Sequence, residues 1–401
     1  MKINLMSEFD NLQCVIVHRP GSEIERLTPQ NRKNYLFEEI PFLDDMQIEH
    51  DNFVNQIKSF GVKVLYLQDL LMQALRNKDL ACKFMHQQLS YQNASEISKE
   101  IVDTYSSHEL AEIVIAGLKF KELKGKIKSQ FNYDNDKFLI NPIPNMYFMR
   151  DAAAVVHNGI IFSNMKNQAR KRETDILSLI MRNHPEFKNE YNVVFPNESM
   201  KDNNLNIEGG DIIVLSDKAL AIGHSERTDS QAIQEVAKQM LKNDDFDRIY
   251  EVILPKERNY MHLDTVFTII DENLIITYPD ALESLQQTNI YTKESVDQSG
   301  NIILKCETIN DSFIKILDKE IKSLEIIHVG NKDAECSARE QWYDGANVFA
   351  VNPRKVISYN RNKCTNHSLR KAGVEVIEIK GSELVRGLGG PRCMTMPIYR
   401  N

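Results

Sequence analysis

Apolar residues along this chain fall in short runs, each broken by a polar turn, resumed in a second run, and followed by a longer amphipathic stretch. Ala152–Val156 leads through His157-Asn158-Gly159 to Ile160–Phe162, and Ile212–Leu215 through Ser216-Asp217-Lys218 to Ala219–Ile222. Val266–Ile270 and Leu274–Tyr278 lie either side of Asp271-Glu272-Asn273, and Val348–Val351 and Val356–Tyr359 either side of Asn352-Pro353-Arg354. Runs of this length, bounded by Asn, Asp, Gly and Pro, predict strands joined by tight hairpins. The stretches between them, such as Asp229–Leu241 and Asn366–Lys371, predict helices. An N-terminal unit of Cys14–Val17, Gln47–Phe60 and Val62–Leu67 makes a fifth example. The pattern predicts an α/β protein of repeated small sheets and leaves open whether the units stack in a line or close in a ring.

One segment breaks the rhythm. No glycine occurs between Gly61 and Gly117 and no proline between Pro41 and Pro142. From about Leu67 to Gln130 the residues are helix formers, with Leu110, Ile113, Val114, Leu118 and Leu123 at helical spacing. This predicts an all-helical insertion over residues 67–135 in a catalytic body made of 1–66 and 136–401; on pattern alone, a helical layer of the main domain fits equally.

Composition narrows the classes. With 401 residues, 42% of them hydrophobic, the chain can bury a large core. Lys plus Arg number 49 against 57 Asp plus Glu, a formal charge of −8, which argues against a nucleic-acid partner and mildly favours a cationic substrate. Acidic Glu8 and Asp10 follow the N-terminus closely, and no window approaches the roughly 20 apolar residues of a membrane span. A cytoplasmic protein without a membrane partner is expected. Six cysteines (Cys14, Cys82, Cys306, Cys336, Cys364 and Cys393) are scattered without a CxxC. They read neither as a disulfide framework nor as a zinc site, and suit a reducing compartment. The histidines show no metal-ligand spacing, so no metal is expected.

Four polar clusters sit where apolar runs begin: Asn145 through Asp151, Glu208-Gly209-Gly210-Asp211, His262-Leu263-Asp264-Thr265, and Gly389-Gly390-Pro391-Arg392-Cys393. Charge at the mouth of a buried strand is costly unless paired, so each cluster asks for a reason. If its strand starts at His262, that histidine and Asp264 share one face, as a base and a cation-binding group would or as a strand-capping pair would. The Gly-Gly pair between Glu208 and Asp211 permits a tight turn. Cys393 ends a glycine-rich loop and could reach a pocket mouth, whereas Cys14 and Cys306 lie within apolar runs, as structural cysteines do. Taken singly, each cluster has an ordinary structural explanation.

Taken together and in this order, the four clusters resemble the arginine deiminases of the guanidino-group-modifying superfamily. Val17-His18-Arg19-Pro20-Gly21 and Leu36-Phe37-Glu38-Glu39-Ile40-Pro41 also look like that family's N-terminal region, so the resemblance spans essentially the whole chain. It implies the pentein fold, an α/β propeller of five αββαβ units with an inserted all-helical subdomain and the active site at its centre. It implies hydrolysis of free L-arginine to L-citrulline and ammonia, with no cofactor, in a homo-oligomer (dimer or tetramer). Carried over position by position, Cys393 is the nucleophile that forms an S-alkylthiouronium intermediate. His262 is the acid and then the base, Glu208 orients it, and Asp151 and Asp264 accept the guanidinium. Asn145, Phe148 and Asp211 contact the substrate, and Arg170 and Arg227 hold its α-carboxylate. An agmatine deiminase, an amidinotransferase or an inactive arginine-binding protein are the alternatives. The paired arginines favour an amino-acid substrate, and the intact set of reacting groups speaks against lost catalysis. Met149 and Ala152 depart from the family pattern beside Asp151, as does Leu388 before Cys393, where some members carry an arginine.

Overall fold

The hairpins expected from the apolar runs form, and each is extended by a third strand that returns in parallel. In the computed structural model the described residues are 2–123, 125–126, 134–187, 190–196, 205–242, 246–256 and 260–401. Strands Ala153–Val156 and Gly159–Phe162 pair antiparallel, and Asn192–Phe195 joins the second in parallel after helix Lys171–Asn183. The same order recurs in Ile212–Ser216, Ala219–His224 and Arg248–Ile253, with helix Ser230–Met240 before the last strand. It recurs again in Phe267–Asp271, Leu274–Thr277 and Glu325–His328, and in Phe349–Asn352, Lys355–Tyr359 and Glu375–Ile379. The remaining set joins the two ends of the chain. Met396–Arg400 pairs antiparallel with Leu12–Val17, which pairs in parallel with Lys63–Tyr66 after helix Leu43–Ser59. A right-twisted hairpin followed by a helix buries its apolar faces most simply when the helix returns the chain to the same sheet, which explains the shared order.

The structure departs from the sequence expectations in four places. Residues 67–116 fold as helices Leu67–Ala74, Lys78–Ser90, Ser98–Thr104 and Ser107–Ala116. The segment is not helical throughout, because Gly117 at φ +80° ends the last helix and a short strand pair, Leu118–Lys119 with Phe138–Ile140, follows. Residues 124 and 127–133 of the expected insertion lie outside the described residues. The second sheet carries an unforeseen hairpin, Thr288–Val296 with Ile302–Ile309. Its outer strand is mostly exposed, so Cys306 is at the surface rather than buried as its apolar surroundings suggested. Cys336 and Cys364, scattered in sequence, are joined as a disulfide because two helix starts meet in space. Among the described residues no helix is long and apolar enough to cross a membrane.

The helical segment is tied to the body by a buried cation. Arg172, at the start of helix Lys171–Asn183 and 4% exposed, donates to the carbonyl oxygens of Val114 and Asn141 and to the Gln88 side chain. Arg172→Met keeps the aliphatic bulk and strands those acceptors in the interior. Urea unfolding is expected to show a loss of about 2–3 kcal/mol, the cost of leaving buried acceptors unmade. An unchanged midpoint would mean that the segment is held by apolar packing alone.

Candidate active site

Each polar cluster lies in or beside a turn just before a strand. Asp151 lies in the turn Met149–Ala152 before Ala153–Val156, and Glu208 precedes the turn Gly209–Asp211 that enters Ile212–Ser216. Asp264 lies in the turn Leu263–Thr265, with His262 as its first flank, before Phe267–Asp271. Cys393 follows the turn Leu384–Gly387 and comes just before Met396–Arg400. The first strand therefore does not begin at His262, and His262 and Asp264 do not share a strand face. The sheet beginning at Phe349 contributes in the same way through Asn347. That residue accepts the Cys393 N–H on Oδ1 at 3.0 Å and donates from Nδ2 to the Asp264 carbonyl at 3.1 Å. Sequence reading missed Asn347; its signal was the polar Asp344-Gly345-Ala346-Asn347 stretch at the mouth of an apolar run.

Close backbone approach explains the glycines. A Cβ on Gly389 would fall 2.1 Å from the Phe148 ring, and one on Gly210 would fall 2.6 Å from His262 Nδ1 and 2.9 Å from Asp151 Oδ1. The loop before Cys393 is thus laid on Phe148, and Leu388 within it holds a left-handed φ of 60°.

These turns surround a cavity of about 460 Å³, and Cys393, His262, Asp151, Phe148, Asn145, Arg170 and Arg227 reach its wall. Beneath the wall, His262 Nε2 lies 2.8 Å from Glu208 Oε2, while His262 Nδ1 is 3.6 Å from Asp151 Oδ1. Asp264 Oδ2 accepts from Arg392 Nη1 at 2.7 Å and stands 3.6 Å from Cys393 Sγ; Arg392 is held in turn by Glu8 at 3.1 Å. Asp151 Oδ1 and Asp264 Oδ1 are buried and accept no hydrogen bond from the described residues. Two buried carboxylate oxygens without a hydrogen-bond donor match a planar cation that only donates. Arg392 and Glu8 were not singled out in the sequence, since a residue near each end of the chain cannot be paired by spacing.

Burial and charge set the protonation states. Burial opposes the His262 cation, but Asp151, the Glu208 hydrogen bond and Asp211 outweigh it and raise His262 to about 10. Burial pushes Glu208 up, yet the His262 bond and charge, with Arg227 and Arg170, bring it down to about 2. Burial raises the Cys393 thiol well above its ordinary value, and Asp264, Asp151 and Asp344 add to it. The thiol therefore holds its proton in the free protein.

Two expected substrate contacts are placed otherwise. Asp211 is absent from the cavity wall: its oxygens accept from the Ser225 and Thr228 hydroxyls at 2.7 and 2.6 Å and from the Leu263 N–H at 2.9 Å. It braces the turn behind His262 instead of meeting a ligand. Arg170 reaches the wall but is committed, donating to Glu173 from Nε and Nη2 and to Asp151 Oδ2 at 2.6 Å. Arg227 is freer. Its Nη1 makes no hydrogen bond and lies 3.8 Å from Glu208 Oε1. Lys166, Asn167 and Glu226 also line this side of the cavity and were missed, because nothing in their local sequence distinguishes them from surface residues.

The chain resembles known proteins along nearly its whole length. The sequence pattern of the arginine deiminase family matches residues 33–400. An arginine deiminase of Listeria monocytogenes (serotype 4b) is 37% identical over 406 residues, covering 99% of this chain and 98% of that one. One of Staphylococcus aureus (strain MRSA252) is 37% identical over 408 residues with the same coverage. Among solved structures, the DDAH of Pseudomonas aeruginosa complexed with citrulline aligns with a TM-score of 0.54 at 15% identity, over 96% of this chain and 99% of that one. The N-terminal domain of ArgZ, an arginine dihydrolase of cyanobacteria, gives 0.55 at 14% identity over 98% of each chain. SxtG, an amidinotransferase of Microseira wollei, gives 0.53 at 16% identity, over 100% of this chain and 97% of that one. The mixed α/β architecture is that of the pentein enzymes.

The raised His262 has a consequence for stability. A histidine at about 10 in the folded state and near 6.5 when unfolded stabilises the fold fully below pH 6.5, and that contribution drains away as pH rises to 10. The stability of wild type relative to His262→Gln, measured by urea unfolding, is expected to shrink steadily across that window. A difference independent of pH from 6.5 to 10 would show that His262 is buried neutral.

Proposed function

This chain belongs to the arginine deiminase family and hydrolyses the guanidino group of arginine to citrulline and ammonia, and from that premise we propose that Cys393 carries the reaction in the cavity described. The observation that carries the assignment is a pair of buried oxygens that accept no hydrogen bond, Asp151 Oδ1, 3.6 Å from His262 Nδ1, and Asp264 Oδ1, whose companion Oδ2 stands 3.6 Å from Cys393 Sγ. A guanidinium seated between them is held in plane with its carbon presented to sulfur. Its positive charge counters the carboxylates that add to burial in raising the thiol, so substrate binding itself promotes loss of the Cys393 proton.

The thiolate adds to the guanidinium carbon, and the His262 imidazolium gives a proton to the departing nitrogen, which leaves as ammonia. The C–N bond breaks as the C–S bond persists, leaving an S-alkylthiouronium on Cys393. Neutral His262 then takes a proton from water, and the resulting hydroxide adds to the same carbon. Collapse breaks the C–S bond and restores the thiolate, and the added hydroxyl loses its proton to the released ammonia or to solvent, yielding citrulline. Glu208, held low and 2.8 Å from Nε2, fixes the ring and stabilises its charged form throughout. We also read the five like sheets as one ring about this cavity, with the helices of 67–116 as an insertion on its rim. The turns that open the five sheets, all supplying groups to one site, support that reading.

At the far end of the substrate, Arg227 is the donor for the α-carboxylate. Agmatine has the same guanidinium and no carboxylate, so the ratio of the two substrates isolates this contact. Arg227→Ala is expected to lower kcat/KM for arginine by about 100-fold, the loss of one charge-assisted contact, while agmatine turnover changes little. Equal falls for both substrates would place Arg227 in support of Glu208 rather than on the carboxylate.

Asp264 is separately testable. Asp264→Asn presents an amide donor to a ligand without acceptors, and kcat/KM is expected to fall at least about 30-fold, equivalent to about 2 kcal/mol. Near-normal kcat/KM in a folded variant would mean that Asp264 serves only to hold Arg392.

A further inference from the structure

Outside the lining of the cavity, two further sulfurs meet. Cys336 and Cys364 are bonded, 28 residues apart in sequence and 6.5 Å apart at Cα. Cys336 lies in the first turn of helix Ala334–Trp342, its N–H donating to Asp333, and Cys364 in the first turn of helix Lys363–Lys371. Both are half-buried and reachable from solvent. A helix N-terminus favours the thiolate, the reactive form in thiol–disulfide exchange.

Buried Glu340 stands between the two helices. It accepts the Cys364 N–H at 2.8 Å, and the Thr365 N–H and hydroxyl at 2.9 and 2.5 Å, with its Oε1 4.0 Å from Cys336 Sγ. These three groups are the only trio of metal-ligating side chains found together among the described residues. The carboxylate, however, is turned to the donors of the second helix, and the sulfurs face each other. That arrangement suits sulfur–sulfur chemistry better than a cation.

The first of these helices runs directly to the active site. The Tyr343 and Gly345 N–H groups donate to the Glu340 carbonyl, and the Asn347 N–H donates to the Asp344 carbonyl. Asn347 then holds the Cys393 N–H and the Asp264 carbonyl, and its own carbonyl takes the Arg392 N–H. Gln341, on the same helix, donates to the Thr265 carbonyl beside His262. The helix carrying Cys336 thus ends on two of the turns that supply the reacting groups.

We propose that Cys336 and Cys364 form a reversible thiol–disulfide site that tunes catalysis through the segment Glu340–Asn347. A low-molecular-weight disulfide is the oxidant. The Cys364 thiolate attacks one of its sulfurs and releases one thiolate; the Cys336 thiolate then attacks Cys364 Sγ and releases the second. Two protein thiols and one small disulfide become one protein disulfide and two small thiols. Bonded, the pair clamps the two helices and holds Asn347 in register; reduced, Glu340 still joins them, so the fold persists while the segment loosens. The catalytic part of this proposal rests on Cys393 as nucleophile, whereas bond formation and its effect on stability do not.

The test equilibrates wild type in buffers of reduced and oxidised glutathione, followed by acid quench, alkylation and peptide mapping, with kcat, KM and Tm read at each poise. A Cys336–Cys364 cross-linked peptide is expected to give way to two alkylated peptides. Reduction is expected to lower Tm by roughly 4 °C, from closure of a loop of this size in a chain of this length, and kcat roughly threefold to tenfold with KM little changed. The Cys336→Ser/Cys364→Ser double variant should match reduced wild type at every poise. The Tm and mapping measurements are repeated in Cys393→Ser, so that glutathione on Cys393 cannot mimic the result and failure of the catalytic assignment stays separable. Failure of the cross-link to form overturns the site, as does stoichiometric zinc whose chelation reproduces the Tm loss. A cross-link that switches while kcat stays constant overturns the tuning.

Discussion

Buried negative charge that the protein leaves incompletely matched sets the terms of this structure. Asp151, Glu208, Asp211 and Asp264 are each 3% exposed or less and lie around one cavity. His262, Arg170 and Arg392 answer most of that charge. Burying a carboxylate is unfavourable unless it is paired and hydrogen-bonded, and here pairing stops short at one oxygen of Asp151 and one of Asp264. A guanidinium supplies both the charge and the donors that complete it. The same imbalance adds to burial in raising the Cys393 thiol above its ordinary value.

Holding such a cluster together requires a rigid support, and the sheets provide it. Every reacting group sits on a turn that enters a buried strand, so its backbone is fixed on one side by the hydrogen bonds of a sheet. Behind these groups lies a further set of partners. Asp211 braces the His262 turn from Ser225 and Thr228, Glu8 holds Arg392 against Asp264, and Asn347 holds the backbone of Cys393. The surroundings of the cavity are therefore assembled from residues as far apart in sequence as Glu8 and Arg392.

Sequence reveals what is local and hides what is not. The hairpins were legible because apolar runs and turn residues lie within about ten positions of one another, and the four polar clusters were legible because they interrupt that pattern. Asn347 escaped notice because a single buried asparagine gives no signal until its partners are known. The Cys336–Cys364 bond was unreadable for the same reason: 28 residues separate the two, and only the meeting of two helix starts joins them. Asp211 and Arg170 show the same limit from the other side. Their positions follow from resemblance, but the protein itself uses their charges, on Ser225 and Thr228 in one case and on Glu173 and Asp151 in the other. The edge strand carrying Cys306 was misjudged because an apolar run does not say whether a neighbour covers it.

The central claim is that arginine is attacked by the sulfur of Cys393 between the carboxylates of Asp151 and Asp264. Its most direct test is mass spectrometry of wild-type enzyme mixed with arginine labelled at the guanidino carbon and quenched in acid during turnover. The account predicts a labelled adduct on the Cys393 peptide whose mass is that of arginine less ammonia, decaying as citrulline accumulates. Label on Cys14, Cys82 or Cys306 instead, or undiminished citrulline formation by Cys393→Ser, would contradict it.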